Sequence, residues 1–299
     1  MLVSIAVVGL LASGCGPGAA TGAGPTSAAN PHLPGVGLRH PTPGSASGVA
    51  RTIAARWAAA GASADMRTTR IEYQTIDYTA TVFSPGTPEG FTAFITTRRT
   101  TLVTPASAAT IYADNGARPR FATPTDQALW QAAGRPSLGQ AATTGQTQTI
   151  PVGQFSFLPQ GSTLTYRQAA ALPAEPTRLA AVILDHLRPY AGTHPPASLV
   201  LKQLAYLIAT APLTDQGRSA AWQAVASLPG LRTCQTRSGR ARDRAINLCI
   251  ASAYDQTLVS VDIDTGAILA IADRLLRPTP LYPHVRVGTI VGSSTFPAV

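Results

Sequence analysis

The chain has 299 residues, of which 45% are hydrophobic and 12% are charged, so it carries enough apolar side chains for a folded core. This composition excludes a chain that is disordered throughout. Lysine and arginine total 23 against 14 acidic residues, which gives a formal charge of +9, and Lys202 is the only lysine. Many of the 26 glycines and 25 prolines precede residue 50, so we expect the folded part to begin at about residue 47.

The N-terminus has the pattern of an export signal. Residues 2–13 (LVSIAVVGLLAS) form an apolar run that is too short to span a bilayer, which needs about 20 residues, but suits a signal-peptide core. The segment Leu11-Ala12-Ser13-Gly14-Cys15 resembles a bacterial lipobox, whose cysteine is diacylated through its sulfur and becomes the new N-terminus. The resemblance implies that residues 1–14 are removed and that Cys15 anchors the chain to the extracytoplasmic face of the cell membrane through palmitate-type acyl chains. The alternative is an ordinary secretory signal with a chance cysteine.

Residues 15–46 connect this signal to the folded part. They repeat Gly, Pro and Ser and contain almost no large apolar side chain, so burial cannot offset the entropy lost on ordering them. We predict a disordered tether. As a flexible coil it would hold the folded part on the order of 30 Å from the membrane surface.

The three cysteines support an oxidising compartment. Cys15 accounts for the odd one, and the other two, Cys234 and Cys249, lie on two strand-like runs that flank a turn rich in Arg, Ser and Gly. We predict an antiparallel hairpin in which Cys234 directly faces Cys249 and Thr233 faces Ile250. Directly opposed Cα atoms are about 4.5–5.5 Å apart, which suits a disulfide. A zinc site needs four ligands, and the Cys and His spacing does not supply them.

The remaining periodicity predicts an α+β order of elements in one globular unit, with a strand-rich lobe over 47–171 and a helical segment plus hairpins over 172–299. The first lobe has a helix over 49–60, strands over 70–83, 91–103, 108–113 and 146–157, and a short helix over 125–133. In strand 70–83 the apolar residues change parity, so we expect a bulge or a twist near Gln74. The second part has helices over 176–188, 196–210 and 215–228, strands over 257–263 and 267–272, and a strand-like patch at 284–291. Helix 196–210 is apolar but too short and too polar to cross a bilayer, which favours a buried core helix.

Short motifs within 165–272 resemble an uncharacterised actinobacterial family of membrane-anchored extracytoplasmic proteins, some of them encoded beside extracytoplasmic-function sigma factors. The motifs are LPAEP at 172–176, LPGL at 228–231, Gly239-Arg240, and DIDTG at 262–266 followed by AIL. All of them are caps, stops or turns, so the resemblance implies a shared fold and no activity. The order of strands and helices is also similar to that of half-barrel lipid-binding lipoproteins, which implies a curved antiparallel sheet over an apolar ligand site.

Motifs of the common enzyme classes are missing from the sequence. There is no G-x-S-x-G, no phosphate-binding loop, and no calcium loop around Asp262 and Asp264, and the five histidines are dispersed. The sequence therefore predicts no catalytic residue, no metal and no cofactor.

A cluster of arginines surrounds the turn of the cysteine hairpin. It admits two interpretations, namely contact with anionic lipid headgroups, wall polymers or an acidic partner, or simply a solvated loop. Asp243 interrupts the cluster and no aromatic residue lies within it, which favours the solvated loop and argues against nucleic-acid binding. The cluster comprises Arg232, Arg237, Arg240, Arg242 and Arg244.

These observations predict an exported, lipid-anchored, non-enzymatic envelope protein that binds or senses a hydrophobic or envelope ligand. One alternative is a protein-interaction module in an envelope-stress or sigma-factor pathway. Another is a hydrolase whose site is assembled from dispersed residues.

Overall fold

The computed structural model describes residues 14–15, 45–61, 70–84, 90–112, 119–138, 147–151, 154–234, 245–282 and 284–297. Almost all of the predicted signal peptide, 1–14, and of the predicted tether, 15–46, lies outside these residues. The helices are α1 (Ala46–Gly61), α2 (Pro124–Ala132), α3 (Tyr166–Ala170), α4 (Pro176–Ala191), α5 (Ala197–Thr210) and α6 (Asp215–Ala226). The strands are β1 (Gly14–Cys15), β2 (Ile71–Phe83), β3 (Phe91–Val103), β4 (Ala108–Tyr112), β5 (Arg120–Phe121), β6 (Thr147–Ile150), β7 (Arg232–Cys234), β8 (Ala245–Ala251), β9 (Asp255–Asp262), β10 (Ile268–Leu275) and β11 (Ile290–Thr295).

Ten strands of the described chain, β2 to β11, form a curved, unclosed antiparallel sheet packed with six helices. The predicted α+β class with a curved antiparallel sheet is therefore confirmed. One ladder has the order β11-β10-β9-β8-β7, with β1 on the outer edge of β11, and the other has the order β2-β3-β4-β6, with β5 paired to β3. The two ladders meet where β11 packs beside β2.

Strands β2 and β3 pair without interruption from Ile71 opposite Val103 to Phe83 opposite Phe91. Of the bulge or twist expected near Gln74, the bulge is therefore absent, and the parity changes because the two faces of β2 pack against different cores. Ile71 packs into the main core, whereas Ala80, an odd number of residues further on, packs into a smaller core on the opposite face.

Helix α5 occupies the centre of the molecule. Every residue from Val200 to Thr210 is buried, as expected of a largely apolar helix in the core. One side of α5 packs against β8, β9 and β10, which contribute inward-facing residues such as Leu248, Val259 and Ile271. Helices α4 and α6 pack on α5, and α1 packs on α6 through Ile53 and other apolar residues.

Three expectations about the elements differ from the structure. The strand-like patch at 284–291 forms a turn-rich segment, and the strand begins at Ile290. The strand predicted over 146–157 is confined to Thr147–Ile150. Helix α3 was not predicted, and it begins with a capping box in which Thr165 and Gln168 satisfy each other's backbone N–H groups. This helix has only five residues, so it carries too little periodicity to be recognised.

Candidate functional site

The cysteine hairpin consists of β7 and β8 and is closed by a disulfide between Cys234 and Cys249. Cys234 is paired with Asn247, and Cys249 with Arg232, so the predicted direct pairing of the two cysteines is wrong by two positions. The cysteines are diagonal neighbours whose Cα atoms are 6.1 Å apart. The right-handed twist of a strand pair brings one diagonal closer than the other, which lets a diagonal pair come within disulfide reach.

Reducing this disulfide should destabilise the protein measurably. A crosslink with a sequence separation of 15 restricts the unfolded chain, and its loss should lower the free energy of unfolding by about 3 kcal/mol. Urea unfolding with and without reductant measures this difference. The double variant Cys234→Ser/Cys249→Ser is the control, and its unfolding should not respond to reductant. An equal response of both proteins would contradict the assignment.

The other residues singled out from sequence are described only in part. Arg232 is exposed on the edge strand β7, whereas Arg237, Arg240, Arg242 and Arg244 lie outside the described residues. The backbone of Cys15 is opposite Gly292 in the short β1–β11 pairing. The structure therefore places Arg232 and Cys15 on different edges of the β1–β11–β10–β9–β8–β7 ladder.

A buried ion pair connects the core helix to the sheet. Lys202 Nζ on α5 lies 2.5 Å from Asp273 Oδ2 on β10, and the two side chains are 6% and 15% exposed. The other carboxylate oxygen of Asp273 accepts a hydrogen bond of 3.0 Å from Thr257 Oγ1 on β9. The only lysine of the chain is thus a structural cation that fixes α5 across two strands.

A second set of hydrogen-bonded polar side chains begins one helical turn further along α5, at the junction of the two ladders. The Tyr206 hydroxyl forms a hydrogen bond with Ser294 on β11, and Ser294 donates to Asp77 on β2. Asp77 in turn pairs with Arg99 Nη2 on β3 at 2.9 Å. Arg99 Nε also donates to Thr75 Oγ1 at 3.0 Å. We call these five residues the junction network.

The junction network is a set of mutually paired groups. Tyr73 lies on the same face of β2 as Asp77, and burial raises the pKa of its hydroxyl to about 12, while the nearby Arg99 charge lowers it in part. A tyrosine with this pKa stays neutral at physiological pH and cannot act there as a base. The arrangement therefore joins two ladders and one helix, and its two charged side chains, Asp77 and Arg99, pair with each other.

A buried aspartate and a histidine meet at the other end of β3. Asp126 on α2 is fully buried and accepts hydrogen bonds from the Thr92 backbone N–H, at 2.8 Å, and from the Thr123 hydroxyl. His284 Nδ1 lies 2.9 Å from the same carboxylate, and the His284 side chain is 38% exposed. On this helix Leu129 and Trp130 are half-buried, and Asp126 is the buried residue.

The environment of Asp126 predicts a pH dependence of stability. Burial alone would raise the pKa of this carboxyl, but the hydrogen bonds from His284, Thr123 and Thr92 outweigh it and hold the pKa below the ordinary value of 3.8. The ionised group therefore stabilises the fold above about pH 4, and this contribution is lost as the pH falls through the lowered pKa.

The variant Asp126→Asn should test this pH dependence. Unfolding by urea at pH 6 should show a loss of about 1.5–3 kcal/mol in the variant, because a neutral amide replaces a charged acceptor. Between pH 4 and pH 2.5 the wild-type protein should lose stability more steeply than the variant. Parallel pH profiles for the two proteins would show that Asp126 does not contribute.

A serine and a histidine also lie in contact at the surface. Ser162 Oγ is 2.7 Å from His186 Nδ1, and the Ser162 backbone N–H donates to the His186 carbonyl at 2.8 Å. A hydroxyl beside an imidazole is the pairing that activates a nucleophile when a third group orients the base. Here Gly161 has φ +100°, and a Cβ at that position would approach the His186 carbonyl to 2.3 Å. The close backbone contact explains the pair as an attachment of the loop to α4.

The described residues contain neither a metal-binding cluster nor a membrane-spanning helix. No group of three or more His, Cys, Asp or Glu side chains in this part of the chain could hold a metal ion. Among the described helices, none is both long enough and apolar enough to cross a membrane. No protein-family model, no curated protein and no solved structure matches the chain.

Sequence reasoning missed most of these polar groups. Lys202 carried a signal, since a lone lysine in an apolar helix must find an acidic partner if the helix is buried. Asp126 and His284 carried none, because they are 158 residues apart and no local motif links them.

Proposed function

We propose that this chain is an exported, lipid-anchored envelope protein that acts by non-enzymatic binding to other envelope components. The lipobox-like segment ending at Cys15 supports the anchor. The bonded pair Cys234–Cys249 supports an oxidising compartment, in which such crosslinks persist. The motifs that resemble those of membrane-anchored actinobacterial proteins agree with this location.

The observation that carries the proposal is the position of α5. The helix packs directly against β8, β9 and β10, and Leu204, Leu207 and Leu248 in these elements are completely buried. An interior packed by the protein's own helix favours recognition through the outer surface. A regulatory contact with another envelope protein belongs to the same proposal.

The pairing of the buried charges supports a non-enzymatic role. Lys202, Arg218 and Asp126 are buried, and each is bonded to groups of the fold itself. A catalytic acid or base has to face its substrate with a pKa near the working pH. These three side chains instead connect helices to strands or to other helices.

A second candidate function is the binding of an acyl chain or another hydrophobic ligand. The curved, unclosed antiparallel sheet packed with helices favours it, because half-barrel lipoproteins share this general form. The two candidates differ in whether a stoichiometric apolar molecule accompanies the purified protein.

Mass spectrometry of the full chain, purified from bacterial membranes in a mild detergent, tests both candidates. Under denaturing conditions the wild-type chain should carry a covalent diacylglyceryl mass, and Cys15→Ser should not. Under native conditions we expect no lipid bound in a fixed 1:1 ratio. A stoichiometric non-covalent lipid would instead establish the hydrophobic-ligand function. An unmodified wild-type chain would refute the anchor.

A further inference from the structure

Apolar side chains are exposed at one end of the sheet. Tyr254, Leu281 and Val287 are 57%, 49% and 55% exposed, among the highest values for large hydrophobic residues in the described chain. Tyr254 directly precedes β9, and the other two lie in the segment that joins β10 to β11. In an antiparallel sheet the start of β9, the end of β10 and the start of β11 are at the same end. We call the turn 252–254 together with residues 276–282 and 284–289 the end surface.

Hydrogen bonds hold the parts of the end surface together. The Tyr254 carbonyl accepts from the backbone N–H groups of Leu276, at 2.7 Å, and Arg277, at 3.2 Å. The Gly288 N–H donates to the Leu275 carbonyl at 2.7 Å. A small apolar core supports the segment from beneath and contains Leu275, Tyr282, Val285 and Val291. The exposed side chains therefore project from an ordered surface.

Positive charge accompanies these apolar side chains. Arg277 and Arg286 are both exposed within the end surface. Aliphatic side chains partition into the acyl boundary of a bilayer, and tyrosine prefers the headgroup level. Arginine pairs with lipid phosphates, and each cation near an anionic surface adds to the attraction. The combination of groups is complementary to an anionic membrane surface.

We propose that the end surface docks on an anionic lipid bilayer and sets the orientation of the folded part on the membrane. The inference rests on the proposed function, because lipidated Cys15 is what keeps the chain beside a bilayer. The anchor provides proximity, and residues 16–44 separate it from α1. The backbone of Cys15 is opposite Gly292, near the start of β11 and therefore close to the end surface, so the anchor and the end surface would face the same bilayer.

Spin-label depth measurements on the full lipidated chain test the proposal. Single substitutions Tyr254→Cys, Leu281→Cys and Val287→Cys each introduce one thiol for a nitroxide label. Ile111→Cys is the matched control, because Ile111 is 45% exposed but lies on β4 in the other ladder. Each protein is reconstituted in vesicles of phosphatidylcholine with and without phosphatidylglycerol. Collision rates with oxygen and with a polar nickel complex report immersion.

We expect labels at 254, 281 and 287 to favour oxygen over the nickel complex on vesicles that contain phosphatidylglycerol, while the label at 111 remains water-accessible. Water-like values at all four positions would overturn the proposal. Loss of label mobility without access to oxygen would overturn it too, and would indicate contact with a second copy of the chain instead.

The wild-type chain distinguishes failure of this inference from failure of the proposed function. With Cys15 acylated and Cys234 bonded to Cys249, wild type should take up no label and should float with neutral vesicles. Labelling of wild type would show that the anchor is absent. Thermal unfolding of the four labelled proteins should match that of wild type, because all four positions are exposed.

Discussion

Replacing Lys202 with methionine should lower the free energy of unfolding by about 3–5 kcal/mol, because the change leaves the Asp273 carboxylate in the core without its cation. Methionine keeps the length and the apolar stem of lysine, so the loss would come from the charge and not from a cavity. Urea or thermal unfolding followed by circular dichroism measures the effect.

The double variant Lys202→Met/Asp273→Leu separates the ion pair from its surroundings. Replacing both charges by apolar side chains of similar size is often neutral, so the double variant should recover most of the lost stability. Arg188→Met is the matched control, because Arg188 pairs with Asp185 where both side chains are more than half exposed. It should change stability little. A loss at Lys202 no larger than that at Arg188 would contradict the buried pair.

Replacing Arg218 with methionine should cost roughly 3 kcal/mol, because its guanidinium provides hydrogen bonds at the end of α5. Arg218 is 4% exposed and donates to the carbonyls of Ile208, at 2.9 Å, and Ala211, at 3.3 Å. It also lies over the Trp57 ring of α1 at 5.4 Å from the centroid. Burial lowers the pKa of Arg218 to about 10, partly offset by Asp215, so the residue remains charged at neutral pH.

Two further variants make the Arg218 prediction specific. Arg218→Lys keeps a positive charge but lacks the planar fork that reaches two carbonyls, so its loss of stability should be intermediate. Arg178→Met, at an exposed position of α4, should leave stability almost unchanged. If the lysine variant were as stable as wild type, the charge and not the fork geometry would explain the role of Arg218.

The elements that were predicted correctly are those with strong local signals. Helix α5 follows from a run of apolar residues too short for a bilayer, and α1 from an Ala-rich segment with Ile53 and Trp57 on one face. The turn at Asp264 follows from its residue types, since the Asp262 side chain accepts hydrogen bonds from the Asp264 and Thr265 backbone N–H groups. In each case the neighbours along the chain determine the structure.

The predictions that were wrong concern how one strand pairs with another. The hairpin disulfide was expected from two cysteines in an exported chain, but its register depends on how β7 lies beside β8 in a twisted sheet. The parity change in β2 left a bulge and a twist open, and only the β3 ladder shows that no residue is inserted. The alternation of residues along a strand shows which side chains share a face, but it does not show which residues of the neighbouring strand they pair with.

The sequence by itself determined the class of the fold, the buried character of α5 and the presence of a cysteine pair, because composition and periodicity are properties of single segments. It also provides the basis for expecting a lipid anchor at Cys15. Only the tertiary structure decided that Lys202 pairs with Asp273, that Asp126 meets His284, and that exposed apolar tips collect at one end of the sheet. Those contacts arise because the curved sheet brings together residues that are far apart in the chain. Local sequence patterns do not show which distant residues will meet.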